Sequence, residues 1–313
     1  VLTLSPSRPP WLRCRGILPY ATLVGALVLT AACHPGNDEA KRLRSACDAG
    51  EASACNELAR RLQKGQYVLR DEHRAAQLFE TACTGSVPAG CSSLGVMFQR
   101  ASGVTRDSAR ASALFRQACD GGDMEGCTRL GILHKLGAGM PADTAQAAAL
   151  FQQACTGNHA TGCAQLGVMY AGGETVSQDY ARAATLFQRA CADSVGLGCV
   201  GLGRLHAAGN GVPRNDSTAA ALYGLACDGG EISGCFQHAT AFETGVGVSQ
   251  DFSRAARLYR EACEDRYGEA CYRLAGLYEK GAGVRRDTSQ VTVFTRRACS
   301  AGYRAACPPR AGT

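Results

Sequence analysis

Lysine is scarce in this chain: Lys41, Lys64, Lys135 and Lys280 are the only four among 313 residues. Three positions ahead of them stand Asp38, Arg61, Ile132 and Leu277, so no S-x-x-K arrangement sets a nucleophilic serine one helical turn from a lysine. Histidine is equally dispersed. His34, His73, His134, His159, His206 and His238 stand singly, which leaves no H-E-x-x-H cluster for a metal. Patterns of the G-x-S-x-G and phosphate-loop type are missing, and no C-x-x-C redox pair occurs. Basic runs interleaved with aromatics are also absent. Of the net charge of +6, Arg8, Arg13 and Arg15 contribute three units before residue 33, where no acid occurs, and the remainder is dispersed. These absences argue against a nucleic-acid partner. They point to no catalytic residue, no cofactor and no metal.

What is present begins with residues 1–32. Arg13 and Arg15 precede the apolar stretch "GILPYATLVGALVLTAA" and then Cys33. A basic start, an apolar centre and small residues at the end make the plan of a bacterial export signal, and 17 apolar-rich residues are marginal for a spanning helix. The order "LTAAC" resembles a lipobox, with Thr30 where leucine is usual. On this reading residues 1–32 are a lipoprotein-type signal, Cys33 carries the lipid and residues 33–38 are a short linker. The expected location is the cell envelope, as an outer-membrane lipoprotein facing the periplasm or the surface.

Cysteine is abundant, with eighteen residues in all. From Cys47 onward they fall as Cys47/Cys55, Cys83/Cys91, Cys119/Cys127, Cys155/Cys163, Cys191/Cys199, Cys227/Cys235, Cys263/Cys271 and Cys299/Cys307. Each pair spans eight positions and each starts 36 residues after the last, which makes the chain a repeat array. Cys14 leaves with the signal, and acylation accounts for the odd thiol of Cys33. In the copy "ACTGNHATGC", His159 sits midway between two cysteines, but the seven other copies have no histidine there. His159 is therefore read as a local substitution and not as a ligand. Export implies an oxidising compartment, so each pair is read as a disulfide.

Spacing then dictates the local fold. Residues eight apart on one helix lie roughly 12 Å apart, whereas a disulfide needs Cα atoms within about 7 Å, so the chain must turn back between the cysteines. Ala147, Leu150, Phe151, Ala154 and Cys155 form a helical stripe, and Cys163, Leu166, Gly167 and Tyr170 form a second. Asp143 is placed to cap the first helix, with counterparts at Asp71, Asp107, Asp179, Asp251 and Asp287 and with Asn215 in the remaining slot. Glycine-bearing connections such as "GVGVSQD" end each second helix, and their G-x-G dipeptides recur with the period, as turns do. Gly95, Gly131, Gly167 and Gly203, with Ala59, Ala239 and Ala275, allow close helix approach. The preceding leucine is replaced by His238 in the sixth copy, a local irregularity. The aromatic at Phe79, Phe115, Phe151, Phe187, Tyr223 and Tyr259 becomes Thr295 in the last copy, as a capping repeat requires.

The strings "LFQQACTGNHATGCAQLGVMYAGGETVSQDYARAA" and "LYREACEDRYGEACYRLAGLYEKGAGVRRD" resemble Sel-1-like repeats of the cysteine-rich, disulfide-stapled kind found in secreted bacterial proteins. The resemblance covers residues 39–307, as seven full repeats and a truncated eighth, and leaves 308–313 as a tail. It implies an all-α solenoid of αα-hairpins, a right-handed superhelix akin to tetratricopeptide arrays. It also implies an adaptor or binding scaffold, although some cysteine-rich members carry a penicillin-binding or β-lactamase label. The expected function is non-enzymatic binding of a protein, peptide or cell-wall ligand, with a membrane contact through the N-terminal lipid. Gln77, Arg110, Gln146, Arg182 and Arg254 are the candidate groove residues, because they recur along the array on first helices.

Overall fold

The structure, a computed structural model, describes residues 35–173 and 175–307. Residues 1–32, read from the sequence as an export signal with Cys14 inside it, Cys33, read as a lipid site, and the tail 308–313 lie outside the described residues. The chain divides into two compact units, one ending at Gly122 and one starting at Asp123.

The first unit contains α1 (Pro35–Asp48), α2 (Ala52–Lys64), α3 (Glu72–Thr84), α4 (Pro88–Arg100) and α5 (Ser108–Asp120). Helix α1 starts inside the stretch 33–38 read from the sequence as a linker. The second unit contains α6 (Met124–Leu136), α7 (Thr144–Thr156), α8 (Ala160–Gly172), α9 (Tyr180–Ala192) and α10 (Gly196–Ala208). It continues with α11 (Asp216–Asp228), α12 (Ile232–Thr244), α13 (Phe252–Glu264), α14 (Gly268–Lys280), α15 (Thr288–Ser300) and a 3₁₀ turn at Arg304–Ala306. Among the described residues there is no strand.

Local chemistry sets where each helix begins and ends. The first helix of a hairpin is capped by a carboxylate or amide: Asp71, Asp107, Asp143, Asp179, Asn215 and Asp251 each accept from the backbone N–H three residues on, at 2.8–2.9 Å. Asp287 does the same for α15, accepting from Ser289 and Gln290. Second helices end on a left-handed residue, Gly65, Gly137, Gly173, Gly209, Gly245 or Gly281, with Ala101 as the exception. Between the helices, the third residue after each first cysteine also has positive φ. Glycine fills that place at Gly50, Gly122, Gly230 and Gly302, while Ser86, Asn158, Ser194 and Arg266 accept the same conformation.

That reversal brings the cysteines together. Disulfides join Cys47 to Cys55, Cys83 to Cys91, Cys155 to Cys163, Cys191 to Cys199, Cys227 to Cys235, Cys263 to Cys271 and Cys299 to Cys307, with Cα separations of 4.4–4.8 Å. Cys119 and Cys127 are also disulfide-bonded. The second sulfur of several bridges lies over a carbonyl. Those of Cys55, Cys163, Cys199 and Cys271 stand 3.6–3.7 Å from the carbonyl oxygen of their own partner cysteine. A bridged sulfur carries no hydrogen, so these are packing contacts at the closed end of the hairpin and not hydrogen bonds of a free thiol. Cys307 differs from the rest: it follows the 3₁₀ turn and not a second α-helix, and its sulfur lies 3.8 Å from the Tyr303 carbonyl. The eighth copy thus keeps its bridge, and among its described residues a 3₁₀ turn stands where the other copies have a second α-helix.

Helices of 13 residues are marginal on their own, so packing must hold them. The expected stripe does this: Ala147, Leu150, Phe151, Ala154 and Cys155 are all buried. Where the second helix carries glycine, the aromatic of the next first helix fits against it. A Cβ on Gly95 would meet the ring of Phe115 at 2.7 Å, one on Gly131 would meet Phe151 at 2.7 Å, and one on Gly167 would meet Phe187 at 2.8 Å. In these three copies a bare backbone leaves room for the ring, whereas Ala59 and Ala239 hold the same position ahead of Phe79 and Tyr259 in other copies.

Several copies vary on this scheme, among them those with His238, Tyr259 and Thr295. His238 replaces leucine and lies against Phe242, ring to ring at 4.7 Å, while Gly224 makes room for it, a Cβ there standing 3.0 Å from the imidazole. Burial lowers its pKa. Tyr259 replaces phenylalanine, and its buried hydroxyl donates to Glu243 Oε2 at 2.6 Å and meets Thr240 Oγ1 at 3.0 Å. Burial, then the Glu243 contact, pushes that phenol's pKa up. At the last hairpin Thr295 leaves a recess of about 340 Å³ beside Ala275, as expected of a terminal copy, and Phe294 takes the buried place.

Candidate functional site

The backbone N–H that satisfies each N-cap belongs to the third helical residue, and this fixes where that residue's side chain leaves the helix. These positions are Arg74, Arg110, Gln146, Arg182, Thr218, Arg254 and Gln290. Four of the five expected groove residues fall in this series. Gln77 does not: it stands one turn later, in register with no other candidate, and accepts from Arg74 Nη1 at 3.0 Å. Arg74 is the true counterpart.

In the first unit, the guanidinium of Arg110 lies 4.5 Å from the ring centre of Phe98 and bonds Glu80 Oε1 through Nη2 at 2.6 Å. In the second unit, Arg182 lies 5.4 Å from the ring of Tyr170 and Arg254 5.4 Å from that of Phe242. Arg182 Nη1 also donates to the Tyr170 hydroxyl at 3.2 Å, a contact that raises the guanidinium pKa. Each ring comes from the last turns of the preceding second helix. These three rings are spaced by two repeat periods, and in the copies between them the ring position is His134 or His206, followed by the uncharged Gln146 or Thr218. Arginine over an aromatic face gains about 0.5–1 kcal/mol at exposed sites. From Phe98 to Arg254 the two classes of copy alternate, while at the ends of the array Leu62 precedes Arg74 and Tyr278 precedes Gln290.

The cysteine ruler, the capped hairpins and the aromatic-on-glycine packing all repeat with one period, and a family model describes that unit. Seven copies of the Sel1 repeat match residues 52–86, 88–123, 125–159, 160–194, 196–231, 232–267 and 268–303.

The chain is a Sel1-repeat protein.

Each matched Sel1 unit takes the second helix of one hairpin with the first helix of the next, so a bridge such as Cys155 to Cys163 links one Sel1 unit to its neighbour. Among solved structures, c5321, a protective antigen present in uropathogenic Escherichia coli strains displaying an SLR fold, is similar at 25% identity and a TM-score of 0.65. The match covers 85% of this chain and 57% of c5321, so the chain spans little more than half of that protein. A Sel1 repeat protein from Oxalobacter formigenes aligns with a TM-score of 0.67 at 19% identity, over 83% of this chain and 99% of its own. No curated protein matches the sequence. Sel1 solenoids commonly mediate protein interactions, and this chain has that scaffold.

Two clusters in this Sel1 array have the outward look of chemistry. Thr128 Oγ1 meets His159 Nδ1 at 2.8 Å, and His159 Nε2 lies 3.0 Å from Glu125 Oε2, an order of groups like a hydrolytic triad. Yet Thr128 is 2% exposed, and its single proton is directed at the Met124 carbonyl, 2.9 Å away. A nucleophile needs access and a free proton; this threonine has neither. The cluster instead ties α6 to the start of α8, and it gives His159 a structural task that comparison with the other copies hid. The hydrogen bond from His159, with Arg129 adding to it, holds the Glu125 carboxyl down to about 2. In the second cluster Glu261 approaches Cys227 and Cys235, but both sulfurs are bonded to each other and offer no thiolate.

Sequence reading missed Arg260, Arg285 and Arg286. These arginines gather around one recess in the last hairpin of the second unit. The visible signal was the run "GVRRD", which differs from the corresponding "GVSQD" one repeat earlier.

Proposed function

We propose that this Sel1-repeat chain is a non-enzymatic scaffold of the bacterial cell envelope, exported and tethered through an acylated Cys33, which binds a protein or peptide through the third residues of its first helices. The observation that carries this reading is the state of Arg110, Arg182 and Arg254. Their side chains are 50%, 66% and 62% exposed, yet each is seated on an aromatic ring. An exposed arginine ordinarily surrenders side-chain entropy on binding, and a ring that already orients the guanidinium reduces that cost. Carboxylates on the partner suit the planar fork, and would add to or displace the intrachain acids Glu80, Asp179 and Asp251 that lie 2.6–3.8 Å from these guanidiniums. The basic and apolar run ahead of Cys33 supports export, and the even count of paired cysteines beyond it supports an oxidising compartment.

The test uses oxidised full-length chain as bait in envelope extracts, beside the variant R110Q/R182Q/R254Q. One reproducible partner recovered by the native chain and lost with the variant is the expected result. Equal recovery by both would remove the arginines from the binding face. Nitrocefin turnover that disappears in a single serine, threonine or histidine variant would overturn the non-enzymatic reading in favour of a β-lactam hydrolase.

A further inference from the structure

Near the end of the second unit lies a recess bordered by three arginines and a single carboxylate, Asp287, so that positive charge is in excess there. It measures about 920 Å³ and is bounded by Arg260 on α13, Tyr278 on α14, the connecting residues Val284, Arg285 and Arg286, and Gln290 on α15. Five repeat periods earlier, in the first unit, the corresponding positions Glu80, Phe98, Val104, Thr105 and Arg110 border a recess of about 570 Å³. There the positive and negative groups cancel, since Arg110 bonds Glu80 at 2.6 Å. In the last hairpin Arg260 stands where Glu80 would be, Gln290 where Arg110 would be, and Arg285 replaces Thr105. The same architecture has exchanged an internal ion pair for a surplus of cations.

The repeats give a second comparison for Arg286. Its counterparts Arg70 and Arg214 are each neutralised by an acid two residues on, Glu72 and Asp216. Arg286 has Thr288 at that place. The nearby Asp287 carboxylate is already engaged at the start of α15, accepting from Ser289 N at 2.8 Å, Ser289 Oγ at 2.6 Å and Gln290 N at 3.2 Å. Beside the Ser289 hydrogen bond, Arg285 acts on Asp287 through space, helping to hold that carboxyl below its ordinary range. Neither Arg285 nor Arg286, however, makes a side-chain hydrogen bond or close ion pair with a described residue, and Arg260 donates only to the uncharged Tyr278 hydroxyl, at 2.6 Å. Arg106 likewise lacks an acid two residues on, but it does not border the recess of its own unit. Three guanidinium forks around one hollow exceed what a single carboxylate can occupy, whereas a phosphate dianion offers several acceptor oxygens at once.

We propose that this recess binds a phosphate group, held by Arg260, Arg285 and Arg286. The inference stands apart from the protein-binding reading, because it concerns a small anion and none of the ring-seated arginines. Phosphate could arrive as a soluble ester or as a lipid headgroup, and the recess itself recognises only what they share.

Calorimetric titration of the oxidised full-length chain with inorganic pyrophosphate, and cosedimentation with phosphatidylcholine vesicles with and without phosphatidic acid, test the proposal. Saturable pyrophosphate binding points to a soluble source, and phosphatidic-acid-dependent sedimentation alone points to a headgroup. In either arm R285Q/R286Q should weaken binding by roughly tenfold or more, the loss expected for removing charge-assisted bonds. T288E should do the same by supplying the acid that Arg286 lacks. That change places a carboxylate in the first turn of α15, where it favours the helix, so the loss cannot be ascribed to unfolding. R70Q, at an arginine already neutralised, should leave affinity unchanged. No saturable binding in either arm, or equal affinity in R285Q/R286Q and T288E to that of the native chain, would overturn the proposal.

Discussion

The close approach of helices at Gly167 allows a prediction whose sign is diagnostic. Gly167 lies inside α8, where replacing glycine by alanine ordinarily gains about 0.5–1 kcal/mol of helix stability. Its Cβ, however, would stand 2.8 Å from Cε1 and 2.9 Å from Cδ1 of Phe187, against 3.4 Å or more for ordinary contact. The ring cannot retreat, because Gly201 on α10 borders it from another side, a Cβ there meeting the same ring at 2.6 Å. Phe187 is 2% exposed, so relief must come from helix displacement. Overpacking of this kind costs about 1–3 kcal/mol, which outweighs the propensity gain. Gly276, inside α14, supplies the control, since a Cβ there meets nothing within 4 Å. In guanidinium denaturation of the oxidised chain followed by circular dichroism, G167A should therefore lower the midpoint while G276A raises it. Shortening the ring with F187L should make G167A less harmful than it is alone. If both glycine variants are stabilising, the aromatic-on-glycine contact is not what packs one repeat on the next.

Three further outcomes follow from particular residues. Ala101 holds the left-handed position that six other second helices give to glycine, so A101G should stabilise the chain by about 0.5–1 kcal/mol in the same assay. Removing one staple as C155A/C163A should cost about 2–3 kcal/mol if the bridge acts by closing a short loop in the unfolded chain, read as a lower midpoint under non-reducing conditions. Glu125, held at about 2 by His159 and Arg129, stabilises the fold above its ordinary value of 4.5, and this contribution is lost as pH falls from 4.5 through 2. Because that carboxylate is 39% exposed and water screens it, the effect is on the order of 1 kcal/mol, and E125Q should flatten the stability profile over that window.

Much of the fold is legible because the array repeats. Cysteines eight apart demand a reversal, the capping aspartates recur with the period, and the apolar stripe of residues 147–155 fits only a helix. The side chains that matter for recognition were harder to place. Gln77 stands three positions out of register with the other four candidates, whereas the 36-residue period aligns Arg74 with Arg110, and the bond from the Arg74 backbone to Asp71 shows why that position recurs. The seating of Arg182 on Tyr170 joins two helices across a connection, so neither residue announces it alone, although the alternation of ring-plus-arginine with histidine-plus-neutral was open to inspection. His159 occurs in one copy alone, and a comparison of copies suppresses whatever is particular to one. The arginine recess was hidden for a related reason: in sequence "GVRRD" is a polar turn, and its importance comes from acids missing at Thr288 and at Arg260.

The most direct measurement is non-reducing peptide mapping of the folded chain by mass spectrometry. The account predicts a cross-link within every C-x₇-C pair, Cys83 to Cys91 and Cys155 to Cys163 among them, and no free thiol from Cys47 onward. Links between cysteines of different pairs, or a substantial fraction of reduced pairs in folded protein, would contradict it.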